Sequence, residues 1–100
     1  MGVAVFVQVI EFRTDKIDEG QKYVDEYRAK TEGKRTARRG ILAKDRDQDN
    51  HYFNFVFFDS YESAMENSKL PETQELSEKL MAIGKGEPTF YNLDIINDQD

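Results

Sequence analysis

Hydrophobic and polar positions along the chain follow two periods in turn. From Val3 to Phe12 β-branched and aromatic residues dominate, with Val3, Val5, Val7 and Val9 on one face of an extended segment and Ala4, Phe6, Gln8 and Ile10 on the other. Both faces are apolar, which predicts a central strand. Ile17, Gln21, Val24, Tyr27 and Thr31 then recur at helical spacing, with Asp15 placed to cap the start and Gly33 to stop the end. "KRTARR" leads into a strand expected at Arg39–Lys44, and "DRDQDN" reads as a polar hairpin loop before a second strand, "HYFNFVFF", at His51–Phe58. Asp59 or Ser60 can cap a short helix containing Ala64 and Met65. Pro71 restarts a second one with Thr73, Leu76, Leu80 and Ile83 on one stripe and Gly84 at its end. "TFYNLDII", Thr89–Ile96, is the last expected strand, and residues 97–100 form an acidic, solvated tail.

The sum is βαββαβ with a split second helix. It predicts an α+β, ferredoxin-like domain over residues 1–100, with a four-stranded antiparallel sheet and its helices on one side. One sheet face is then bare. The aromatic strand decides what that face is for, because its side chains alternate between the two sides. His51, Phe53, Phe55 and Phe57 share one face, and Tyr52, Asn54, Val56 and Phe58 share the other. The helices can bury only one of these sets, so the second needs a ligand, a nucleic acid or another subunit.

Composition narrows that choice. The formal net charge of -6 repels phosphate backbones and argues against nucleic acid. The chain has no cysteine and a single histidine, which removes disulfides, thiolate nucleophiles and sulfur-ligated metals, and no compact carboxylate cluster suggests a metal site. The apolar start "MGVAVFVQVI" lacks a basic leader region and reads as a strand rather than a signal peptide, "MGVAVF" lacks the hydroxyl residue of a myristoylation signal, and no run approaches a membrane span. A cytoplasmic location with no membrane partner is the expectation.

The same element order occurs in RNA-recognition motifs, and "HYFNFVFF" matches their third-strand pattern at Phe53, Phe55, Val56 and Phe58. His51 stands where that pattern has a basic phosphate contact, and Tyr52 and Asn54 replace the small residues that let bases reach the sheet. Such a motif would also turn Phe6 outward and bury the Val5 and Val7 face, so the direction of Gln8 separates the readings.

A second resemblance covers almost the whole chain. The strand ending "VQVIEF", the aromatic strand followed by "DSYESAMENS", the broken helix "KLPETQELSEKLMAI" and the closing "EPTFYNLDII" together resemble the antibiotic-biosynthesis-monooxygenase-like group of dimeric α+β barrels. That resemblance implies a homodimer in which bare sheet faces cover each other, with a small cavity between sheet and helices in each subunit. His51, Phe53, Phe55 and Phe57 would then form the dimer interface, where each fully buried phenylalanine contributes roughly 1.5–3 kcal/mol. Tyr52, Asn54, Val56 and Phe58 would face the cavity and a small apolar or aromatic ligand.

Cofactor-free monooxygenases of this group carry an asparagine and, four residues on, a tryptophan, both pointing into the cavity. Asn54 matches the first, and Phe58 stands in the place of the second, keeping its shape but lacking the indole donor. The resemblance therefore implies Asn54 and Phe58 as catalytic positions, no cofactor, and a small aromatic or polyketide-like substrate oxidised through a carbanion or enolate. The alternative it leaves open is a non-catalytic dimeric binding protein of the same fold. Gln8, placed where relatives carry an amide on the first strand, joins Tyr52 and Tyr27 as a candidate substrate-binding residue. Haem-degrading relatives take an iron ligand from the second helical region, but "AMENSKLPETQ" has no histidine, and His51 lies on the opposite face by parity. The cluster Lys34, Arg35, Arg38 and Arg39 could steer an anion but reads more simply as a solvated loop.

Overall fold

The computed structural model describes residues 5–99. They form β1 (Phe6–Arg13), α1 (Ile17–Lys30), β2 (Arg39–Lys44), β3 (His51–Phe58), α2 (Tyr61–Ser68), α3 (Pro71–Ile83) and β4 (Thr89–Asp94). The four strands make one antiparallel sheet in the order β2-β3-β1-β4, the ferredoxin-like α+β arrangement expected from the pattern of elements. Strands β2 and β3 have the expected bounds. Val3 and Ala4, assigned to the first strand from sequence, lie outside the described residues. At its other end β1 runs one residue further, to Arg13, because Arg13 still has a partner in His51. Strand β4 is two residues shorter than expected. Its last ladder pair is Asp94 with Phe6, and only a bond from the Ile95 N–H to the Val5 carbonyl (2.8 Å) continues it.

The core sits between β1, β3 and α2. Phe6 and Phe58 are 3% and 2% exposed and pack with Ala64, while Ala37 and Val56 close the cluster. The Phe6 ring meets Tyr61 edge-on at 5.6 Å. Phe6 therefore points toward the helices, and by strand alternation Gln8, Ile10 and Phe12 follow it. This orientation is opposite to the one an RNA-recognition motif requires, so the alternative reading of β1 is overturned.

Helix α1 packs on α3 through Gly20, where an added Cβ would come within 3.4 Å of Ile83. The expected cap of α1 needs correction. Asp15 does not cap it; Asp15 pairs instead with Lys85 at 3.2 Å. The buried Thr14 hydroxyl accepts the Lys16 N–H (3.0 Å) and donates to the Ile83 carbonyl (2.7 Å). A hydroxyl can do both at once, whereas a carboxylate cannot donate and stays in solvent. Ser60 caps α2 as expected, accepting the Ser63 N–H at 3.0 Å. Leu70 is extended before Pro71, which opens α3, and Gly84 closes it. Gly33, at φ 87°, turns the chain beyond α1 in a conformation open to glycine.

Candidate functional site

Strand register lays out the helix-side face as a grid. One rung reads Asn92, Gln8, Val56, Gly40 across β4, β1, β3 and β2, and the next reads Phe90, Ile10, Asn54, Leu42. Asn54 is thus bounded by Ile10 and Leu42 across the sheet and by Tyr52 and Val56 along its own strand face. It is half-buried, and among the described residues its amide makes no side-chain hydrogen bond. The only buried side-chain polar atom without a partner among the described residues is Glu72 Oε1, so the Asn54 amide reaches solvent and its donors and acceptor are open to a ligand.

The other expected site residues are less alike in setting. Gln8 donates from Nε2 to Asn92 Oδ1 at 3.2 Å, which leaves Gln8 Oε1 and Asn92 Nδ2 available on the same face. Tyr52 is buried and stacks on Phe12 with ring centroids 5.7 Å apart. Phe58 lies within the core, against Phe6 at 6.4 Å. Tyr27 lies at the meeting of the helices: its hydroxyl accepts from Asn67 Nδ2 (3.1 Å) and shares a 2.8 Å bond with Thr73. Asn67, which sequence reasoning passed over, is buried and also accepts the Thr36 N–H at 3.1 Å, so it locks the loop before β2 onto α2.

The bare face carries His51, Phe53, Phe55 and Phe57 as parity requires, beside Val7, Val9, Glu11, Ile41, Tyr91 and Leu93. The three phenylalanines are already half-buried by their neighbours, so covering them would bury less new area than a fully exposed ring offers. Val5, Ile41, Tyr91 and Leu93 remain exposed around them.

His51 is only 4% exposed, and both its ring nitrogens face carboxylates: Nδ1 to Asp45 Oδ2 and Nε2 to Glu11 Oε2, each at 2.7 Å. A neutral imidazole has one N–H and could donate to only one ionised carboxylate, so two ionised carboxylates at these distances favour the imidazolium. Asp45 and then Glu11 raise the His51 pKa above its ordinary value, against burial and the nearby Arg13 charge. Glu11 is lowered chiefly by His51 and then by the Tyr91 hydroxyl, which donates at 3.1 Å. Asp45 is lowered first by the Asp47 N–H and then by His51. The sequence signal for this cluster was a carboxylate, Glu11, following the valines Val7 and Val9 on one face of β1. Its pairing depends on a register that composition does not reveal. Among the described residues no group of three or more histidine or carboxylate side chains is disposed to hold a metal ion.

Two of the four cations of the basic stretch pair with carboxylates. Lys34 pairs with Glu72, Arg38 with Asp59 at 2.5 Å, and Arg35 donates to the Arg28 carbonyl and Thr31 Oγ1, both at 3.0 Å. Arg38 and Arg39 border a hollow of about 410 Å³ with Phe57, Ile95 and Asp98, at the margin of the bare face. No helix among the described residues is long and apolar enough to cross a membrane.

No protein-family model and no curated protein sequence matches the chain. Solved structures match its fold closely. A mutant of SnoaB, a cofactor-independent oxygenase from Streptomyces nogalater, superposes with a TM-score of 0.80 at 14% identity, covering 96% of this chain and 97% of that one. A provisionally assigned antibiotic biosynthesis monooxygenase from Caulobacter crescentus CB15 gives 0.78 at 13% identity, over 94% and 92% of the two chains. A further antibiotic biosynthesis monooxygenase gives 0.74 at 13% identity, over 92% and 99%. The chain therefore has the ferredoxin-like α+β fold of the antibiotic-biosynthesis-monooxygenase-like structures, the fold anticipated from its segments.

Proposed function

We propose that the protein is a cofactor-independent monooxygenase acting on a small aromatic or polyketide-like molecule, with Asn54 as its polarising residue. The observation that carries this reading is the Asn54 amide, half-buried among apolar side chains on the helix-side face and without a side-chain partner. A substrate that reaches the site already ionised to its enolate, its proton lost to solvent, would have its oxygen charge stabilised by the amide N–H. Dioxygen then bonds to the carbanion carbon, one oxygen staying as the new carbonyl and the other leaving as water with the two hydrogens that the carbon and solvent supply. Gln8 and Asn92 offer one acceptor and one donor nearby, suited to a hydroxyl beside a carbonyl. A homodimer that buries the face of His51, Phe53, Phe55 and Phe57 belongs to this proposal, and the exposed Val5, Ile41 and Leu93 around them support it.

One observation favours a second reading, a non-catalytic dimeric binding protein. Phe58, in the position where the resembling enzymes carry tryptophan, is sealed among Phe6 and Ala64 and offers no donor. Oxygen uptake with dithranol, a hydroxylated anthrone, separates the two. The oxygenase reading expects catalysed uptake that falls by about a hundredfold or more in Asn54→Ala. Equal uptake with and without the protein, alongside dithranol binding, would leave the binding module.

A further inference from the structure

Gly40 occupies the middle of β2, in continuous register between Arg39–Phe57 and Ile41–Phe55, so no bulge explains it. Its φ is not positive, so no left-handed turn explains it either. Close packing is also absent: an added Cβ would meet only the Phe55 carbonyl oxygen, at 4.0 Å. A strand-interior glycine without these causes often marks a place where a ligand or another backbone approaches closely, and Gly40 is exposed on the edge strand β2, open to such an approach. By register this vacancy lies on the helix-side face, beside Val56 and diagonal to Asn54, with Leu42 39% exposed at its margin.

We propose that Gly40 is a specificity-determining residue: by withholding a side chain beside Asn54 it leaves a seat for the flat edge of an apolar or aromatic ring. This rests on reading the face of Asn54 as the ligand site, and adds what sets the size of the ligand there. The ring lies over β2 and β3, against Leu42 and Val56, with its polar substituent toward the Asn54 amide. Any β-carbon at position 40 projects into that seat, and a branched one fills it.

The test titrates the wild type, Gly40→Ala and Gly40→Val with dithranol and with anilinonaphthalenesulfonate, alongside thermal melts and light scattering. Both variants should melt no lower than wild type, because any side chain suits an unstrained strand better than glycine. Gly40→Ala should weaken binding several-fold and Gly40→Val by about tenfold or more. Equal affinity in Gly40→Val overturns the proposal, as does a change in its oligomeric state, which would assign the glycine to subunit contact. A wild type that binds neither probe overturns it together with the site reading. Binding that depends on Gly40 but proceeds without oxygen uptake upholds it while removing the oxygenase reading.

Discussion

Strand β3 presents two surfaces built on opposite principles. On the helix side, Asn54 is a lone amide among apolar neighbours, while on the bare side His51 is an ion held at both nitrogens among phenylalanines. The first polar group is unsatisfied by the chain itself and the second is fully satisfied. A polar group whose partners are already present serves the fold, and one whose partners are missing is available to a ligand. The difference overturns the intuition that the only histidine of a chain is its best chemical candidate.

The largest expected effect tests what covers the bare face. Phe55 sits at its centre, flanked by Val9 and Ile41. If the proposed homodimer covers that face, Phe55→Glu should raise its dissociation constant by about a thousandfold, roughly 4 kcal/mol, as loss of a central aromatic anchor does. Light scattering over a dilution series reads this directly. A wild type that is monomeric throughout would remove the second copy from the picture.

Next in size is the boundary between the helix-side site and the core. Phe58→Ala should cost about 3–5 kcal/mol in urea unfolding, since its ring contacts Phe6 and the α2 residue Ala64. Phe58→Trp, which supplies the donor that the family resemblance implies at this position, should cost about 1–3 kcal/mol by overpacking. If the tryptophan variant is as stable as wild type and gains oxygen uptake, Phe58 borders the site rather than the core.

The ion cluster gives a pH-dependent contrast. His51 has a raised pKa, so its contribution is complete below its ordinary value near 6.5 and is lost as pH rises through the raised value. Glu11 and Asp45 are lowered, so theirs is present above their ordinary values of 4.5 and 3.8 and is lost as pH falls through the lowered ones. The cluster thus stabilises the fold most between those limits. With one histidine in the chain, the alkaline limb has a clean origin. Wild type should lose thermal stability as pH rises above the ordinary histidine value near 6.5, and His51→Gln should start lower and change less over the same rise. Parallel melting curves for the two would mean that the imidazolium is not what holds Asp45 and Glu11.

The fold was legible because its information is local. Period, caps and breakers placed β2 and β3 correctly, and Pro71 and Gly84 bounded α3. Parity alone separated the two faces of "HYFNFVFF", and the structure keeps that separation. What sequence could not supply depends on register and approach. The Gln8–Asn92 bond joins residues 84 apart, and the Glu11–His51 contact joins residues 40 apart. Thr14 displaced Asp15 at the start of α1 because the Ile83 carbonyl happens to reach it, a tertiary fact invisible in the local pattern.

The smallest expected effect is the sharpest test of the contrast, because it compares two asparagines. Asn67 is buried, accepts the Thr36 N–H and donates to Tyr27, so Asn67→Ala should cost about 1–3 kcal/mol by leaving those groups unpaired. Asn54 holds nothing in place, and Asn54→Ala should change unfolding stability by no more than about 0.5 kcal/mol in either direction. Near-neutral stability with lost ligand response would assign the Asn54 amide to the ligand. A loss comparable to that of Asn67→Ala would mean that the fold itself uses the amide, and the difference between the two faces of β3 would then disappear.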